Sequence, residues 1–190
     1  MSNVPPNPLV VQLLGKLPEH SIVLDLGCGC GRNAIYIAKA GHAVLAVDKR
    51  KEAIEGLIDR SIREGLRILG ITGDICDVLE ALPHKQYDAV VCINALQFNP
   101  RARVYKAIEL MQQVTKPLGF NAIESFVVRG DEEREWAIKQ GWYGFKRGEL
   151  QRVYEGWTML TYSEALGPWE QHDGFPKHRH FLVRLLARKG

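Results

Sequence analysis

Hydrophobic positions along the chain alternate between two rhythms. Compact apolar runs occupy residues 22–26, 42–47, 66–71, 87–93 and 120–127. Between them, apolar residues recur at spacings of three and four. The run at 87–93 lacks polar alternation, which predicts a strand buried on both faces, as in a parallel sheet. The spaced stretches predict helices at 31–40, 51–64 and 103–114, and a short one around 78–82. Ala34, Ile35, Ile37 and Ala38 make the buried face of the first helix, and Gly41 ends it. Ile54, Leu57, Ile58 and Ile62 make the stripe of the second. Val104, Ala107, Ile108, Met111 and Val114 face inward on the third, which Pro117 and Gly119 prevent from continuing. Ahead of this block, Leu9, Val10, Leu13, Leu14 and Leu17 predict a helix stopped by Pro18, and residues 1–7 are expected to be disordered.

After Val128 the pattern changes. Residues 129–140 are strongly charged, and Trp142, Tyr143 and Phe145 cluster behind them. A short helix at 147–154 and strands at 158–162 and 178–188 close the chain, the strands as an antiparallel pair at one edge. The alternation of strands and helices predicts one α/β domain over 1–190. Its architecture is Rossmann-like and doubly wound, a mostly parallel sheet of about seven strands with right-handed crossovers.

Composition narrows the classes. A chain of 190 residues that is 46% hydrophobic is long enough for one real core. The net charge of +3 comes without a long Lys/Arg block, and basic residues do not interleave with aromatics in a stripe, which argues against nucleic acid. After Asp173 no acid follows, while Lys177, Arg179, Arg184, Arg188 and Lys189 do. That tail is either a solvated edge or a cationic rim for an anionic or electron-rich substrate. Cys28, Cys30, Cys76 and Cys92 show neither a disulfide framework nor metal-ligand spacing, so no metal is expected. Residues 1–8 have no apolar signal core, and no run approaches the ~18 apolar residues of a membrane span. A cytoplasmic monomer or homodimer is the expectation.

The chemistry gathers where the first strand ends. Asp25-Leu26-Gly27-Cys28-Gly29-Cys30-Gly31-Arg32-Asn33 is a strand, a tight glycine turn and a helix N-terminus in sequence. A dinucleotide turn needs G-x-G-x-x-G, with pyrophosphate on the helix N-terminus. Here Arg32 stands where its third glycine would fall. S-adenosylmethionine has no phosphates and needs other partners. Asp48, closing the second strand, can accept from both ribose hydroxyls. Asp74, after the third strand, can accept from the adenine amino group, and Ile75 can offer a backbone N–H and an apolar face. Asp25 can tie down the turn or receive the ligand's ammonium. Cys92, Ile93 and Asn94, ending the fourth strand, are expected beside the turn. Asp48 and Asp74 could each also cap a helix; the order of these groups at successive strand ends is what points to one ligand. The expected cofactor set is Asp25, Gly27, Cys28, Gly29, Arg32, Asn33, Asp48, Asp74, Ile75, Cys92 and Ile93.

The stretch 23–34 resembles motif I of the class I methyltransferases, and its Gly31-Arg32-Asn33 ending is similar to the branch that includes the tellurite-resistance methyltransferases. The likeness resumes in Tyr87-Asp88, in Lys116-Pro117-x-Gly119, in Phe145-Lys146-x-Gly148-Glu149-Leu150-x-Arg152-x-Tyr154-Glu155-Gly156-Trp157, and in Leu186-Ala187-Arg188-Lys189. Leu118 departs from the family's frequent second glycine. The resemblance implies methyl transfer to a small soft or anionic acceptor such as tellurite, selenite or a thiol.

Such a transfer is an in-line displacement, with the nucleophile approaching opposite the departing thioether at ~3 Å. A soft nucleophile needs little help from a base, whereas a phenol or amine needs its proton removed. Basic and imidazole groups of the tail suit an anion. His172, His178 and Arg184 are therefore the catalytic candidates, alongside His180. The segment after the fourth strand, Asn94-Ala95-Leu96-Gln97-Phe98-Asn99-Pro100, lacks the Pro-Pro-aromatic arrangement of enzymes that methylate exocyclic amines. The competing readings are an inactive S-adenosylmethionine-binding sensor, a methyltransferase of a larger organic metabolite, and a nicotinamide-dependent oxidoreductase.

Overall fold

The apolar run Ile22–Leu26 forms β1, with Val23 through Leu26 all buried. It pairs in parallel with β2 (Ala43–Asp48) on one side and β4 (Tyr87–Ile93) on the other. β3 (Ile68–Thr72) lies outside β2, and β5 (Thr115–Phe126) outside β4, both parallel. Beyond β5, β7 (Phe181–Arg188) runs antiparallel between β5 and β6 (Thr158–Leu166). The computed structural model describes residues 4–171 and 177–190. Among these, the sheet has seven strands in the order β3-β2-β1-β4-β5-β7-β6. This is the α/β architecture that the chain's rhythm predicts.

Strand side chains alternate between the two faces of the sheet, and two cores result. Leu24, Leu26, Val90 and Cys92 face α4 (Ile75–Ala81), α5 (Arg101–Val114) and α7 (Glu149–Val153). Val23, Ala89, Val91 and Ile93 face α1 (Pro8–Leu14), α2 (Arg32–Lys39) and α3 (Lys51–Glu64). Among the described residues, no helix is long and apolar enough to cross a membrane.

Several boundaries differ from the sequence expectation, each for a local reason. The first helix starts at Pro8 because the Asn7 side chain accepts from the Leu9 N–H and proline suits the first turn, and Gly15 caps it well before Pro18. Asn7 is buried at 5% exposure, so the loosely held N-terminal segment does not extend to residue 7. α4 begins earlier than expected because Asp74 caps it. At the start of β5, Tyr87 pairs with Thr115 and Ala89 with Phe120, so residues 116–119 bulge out and Leu118 takes a positive φ of 64°. The charged stretch forms α6 (Asp131–Lys139), with three acids in its first turn and Lys139 in its last, which complements the helix dipole. His178 stands outside β7, in an isolated bridge with Glu170.

Candidate active site

The carboxyl ends of β1 to β5 share one edge of the sheet, and the loops that leave them build two neighbouring cavities. The glycine turn opens the first. Gly27 and Gly31 have φ of 67° and 81°, and a Cβ on either would sit 2.2 Å from the Ala95 Cβ or 2.3 Å from a Leu57 methyl. These two glycines let the turn close onto the β4 loop and onto α3. Gly29 differs: a Cβ there would meet only the Arg50 guanidinium, at 3.4 Å, so its surface is open. The turn is tied to β2 by Asp48, whose Oδ2 accepts the Gly29 N–H at 2.8 Å. Asp48 Oδ1 accepts from the Arg50 backbone N–H at 3.0 Å and from its Nε at 3.3 Å.

These groups line a cavity of about 410 Å³ that also receives Gly73, Asp74 and Ile75 after β3 and Asn94, Ala95, Phe98 and Asn99 after β4. The side chain of Asp74 caps α4, its Oδ1 accepting the Cys76 N–H at 2.8 Å and pairing with Arg103. Burial opposes its ionisation, but the Arg103 and Cys76 hydrogen bonds outweigh it and hold the carboxyl below its usual range.

Of the residues expected to meet a ligand, Gly27, Gly29, Asp48, Asp74 and Ile75 line this cavity. Asp25, Cys28, Arg32, Asn33, Cys92 and Ile93 do not. Cys92 and Ile93 are the last residues of β4, so their side chains enter the two cores, and Asn94 and Ala95 take the expected place beside the turn. Burial pushes the Cys28 and Cys92 thiols up, leaving them protonated. Asn33 Oδ1 accepts the backbone N–H of Asn7 at 3.0 Å and so fastens the N-terminal segment to the start of α2. Asp25 lies beneath the turn at 1% exposure. Burial pushes its carboxyl up to about 7, against the pull of the Ala34 N–H and the Arg32 charge, and its Oδ2 has no hydrogen-bond partner among the described residues.

This donor and acceptor set fits an adenosyl ligand with a cationic tail. Asp48 is a carboxylate acceptor at the cavity wall for a diol, provided the exposed Arg50 side chain yields its bond. Ile75 offers an apolar face. The unpartnered oxygens of Asp25 and Asn94 would gain from a nearby positive charge or donor. The Gly29 N–H is committed to Asp48 and is not free to meet a phosphate.

A second cavity of about 170 Å³ adjoins the first and was not foreseen as a unit. Phe126 and Val127 at the end of β5, Trp136 of α6, Trp142 and Tyr143, and the 178–181 segment line it. Phe98 of the first cavity meets Trp142 of the second edge-on at 5.2 Å, so an aromatic pair stands between the two spaces. Trp136 meets Trp142 in the same way. His180 stacks on Phe126 at 4.1 Å, and its Nε2 lies 3.2 Å from that of His178, within hydrogen-bond distance. Arg129 and Arg179 also line the cavity, Arg129 already bound to Glu133 at 2.5 Å.

The catalytic candidates therefore separate. His178 lines the small cavity, as does His180. Arg184 does not: it lies opposite Glu124 in the β5–β7 register, and its Nε donates to Glu124 Oε2 at 2.5 Å, as oppositely charged cross-strand neighbours do. The structure places it in a partly buried ion pair, outside both cavities. His172 lies outside the described residues. Trp136 and Arg129 entered no expectation because the charged stretch that carries them has little helical periodicity.

Comparison with known proteins bears on the same region. A family model described as "Tellurite resistance protein TehB" matches residues 11–179. The chain is 32% identical to Hemagglutinin 1 of Eikenella corrodens over 88% of its own length and 54% of that protein's. It is 30% identical to the probable S-adenosyl-L-methionine-dependent methyltransferase TehB of Haemophilus influenzae (strain 10810), over 92% of this chain and 59% of that one. The crystal structure of TehB from Haemophilus influenzae superposes with a TM-score of 0.80 at 26% identity, covering 95% of this chain and 61% of that one. The chain thus spans a little over half the length of the curated relatives it matches.

Proposed function

The chain belongs to the TehB family of S-adenosylmethionine-dependent methyltransferases, and from that premise we propose that it methylates a small, soft or oxyanionic acceptor. The observation that carries this reading is the small cavity of His178, His180, Arg129 and Arg179, set against the larger cavity across the Phe98–Trp142 pair. At about 170 Å³ it has room for an oxyanion, a thiol or a single small ring.

S-adenosylmethionine supplies an electrophilic methyl on a positively charged sulfur. The chain's own residues do the rest. Asp48 accepts from the ribose hydroxyls once Arg50 Nε releases it. Ile75 packs on the adenine, and Asp74, with Oδ1 committed to the α4 cap and Arg103, offers its other oxygen. Gly27, Gly29 and Asn94 border the tail of the ligand. His178 and His180 hold the acceptor by hydrogen bonds and, because each ring can give or take a proton, serve both an anion and a thiol. Trp136, Trp142 and Phe126 give the acceptor an aromatic wall. We extend the proposal to a reducing, cytoplasmic setting, consistent with four cysteines that are all free thiols.

The test is turnover. Purified protein with S-adenosylmethionine is offered tellurite, selenite, small thiols and phenols, and S-adenosylhomocysteine is measured. Release with tellurite, selenite or a thiol supports the reading. Tight binding of S-adenosylhomocysteine with no turnover across the panel would favour a sensor instead. Turnover confined to bulky organic acceptors would overturn the small-acceptor assignment.

A further inference from the structure

Glu124 has no place in the chemistry above, yet its carboxylate is held by three side-chain donors beside the site. It lies near the end of β5 at 4% exposure. Its Oε1 accepts from Asn94 Nδ2 at 3.0 Å and from Asn7 Nδ2 at 2.9 Å, and its Oε2 accepts from Arg184. Its backbone carbonyl accepts the Asn94 N–H at 2.8 Å. Three side-chain donors on one carboxylate leave it an anchor rather than a base.

The consequence falls on Asn94. This residue lines the larger cavity with a positive φ of 54°, a conformation that asparagine tolerates better than most residues. An ionised carboxylate only accepts hydrogen bonds, so the Asn94 amide must turn its NH₂ to Glu124. The carbonyl oxygen is then fixed on the other side. That atom, Oδ1, is buried and has no partner among the described residues. An acceptor held in one orientation and left unmet, on a residue that lines the cavity, marks a place for a donor that arrives with the ligand.

We propose that Glu124 is a positioning residue. It sets the Asn94 amide so that Oδ1 meets the cationic tail of the bound ligand, at an ammonium N–H. The choice of ligand rests on the function proposed above; the orientation of the amide does not. Arg184, paired with Glu124, fixes the carboxylate in place and so acts one step further back.

The test is a set of variants read by calorimetric titration with S-adenosylhomocysteine, which retains the ammonium. N94A, which removes no charge, weakens binding by about tenfold. E124M/R184M removes the ion pair without stranding either charge, as apolar replacement of such pairs often allows, and weakens binding to the same extent. Adding N94A to that pair weakens it no further. E124Q/R184M keeps an acceptor for the Asn94 amide and restores affinity to within about threefold of wild type. A role confined to packing would make E124Q/R184M as weak as E124M/R184M, or make the N94A loss additive, and either result overturns the proposal. Unchanged affinity in N94A overturns it whatever the other variants do. A wild-type protein that binds no S-adenosylhomocysteine overturns both this inference and the function on which it draws, whereas normal wild-type binding with additive losses sinks this inference alone.

Discussion

Replacing Asp25 by asparagine should change how stability depends on pH, and the size of the change follows from burial. The Asp25 carboxyl is pushed from an ordinary 3.8 up to about 7, chiefly by burial. The folded state therefore keeps a proton that the unfolded chain has already released. Stability is fully present below about pH 4 and falls as pH rises toward 7, because the unfolded state binds fewer protons there. A rise from 3.8 to about 7 corresponds to up to roughly 4 kcal/mol between pH 4 and pH 8. An asparagine side chain does not titrate, so D25N lacks this loss. His42, held below its usual range by burial and by His20, contributes a slope of opposite sign in both proteins and cancels in the difference. The assay is urea unfolding of wild type and D25N at pH 5, 6, 7 and 8. The gap between the curves should shift in favour of D25N by about 2–3 kcal/mol across that range, whatever constant offset the substitution adds. Parallel curves would refute the reasoning. A cationic ligand beside the turn favours ionised Asp25, so its affinity for the wild type should rise with pH over the same window.

Three further outcomes are expected. D48A removes the acceptor for the Gly29 N–H and for a ribose, and should weaken S-adenosylhomocysteine binding by roughly 1–3 kcal/mol; an unchanged titration would cancel the ribose role. G27A places a Cβ 2.2 Å from that of Ala95 at a φ of 67°, so the turn must shift; melting temperature and ligand affinity should both fall, by about 1–3 kcal/mol in stability. H178A and H180A should each cut kcat/KM for the acceptor by at least about tenfold while leaving cofactor affinity within about twofold, and equal losses in both quantities would count against a separate acceptor cavity.

The sheet was legible in the chain because its strands are short, continuous apolar runs and its helices carry strong stripes, as at Ile54 and Leu57. The adenosine side was legible because Gly27, Gly29, Asp48 and Asp74 sit at consecutive strand ends, where the fold itself brings them together. What local pattern does not carry is which way a strand's last side chain points. Cys92 and Ile93 therefore enter the cores while Asn94 and Ala95, one step on, line the cavity. Nor does it carry register across distant strands: the Glu124–Arg184 pair joins residues sixty apart through β5 and β7. Asn33 looked like part of the turn, yet its partner is Asn7, twenty-six residues back. The acceptor side depends on α6, whose apolar positions are few; only Ala137 is buried, so its place over the small cavity comes from tertiary packing of Trp136 on Trp142.

The central claim is that the cavity between the glycine turn and Asn94 holds S-adenosylmethionine with its reactive end toward the His178–His180 pocket. A crystal structure of the protein with S-adenosylhomocysteine measures this directly. The ribose should lie at Asp48, the adenine against Ile75, and the sulfur facing the Phe98–Trp142 partition. Density elsewhere on the sheet edge, or a sulfur turned to solvent away from that partition, would contradict the claim.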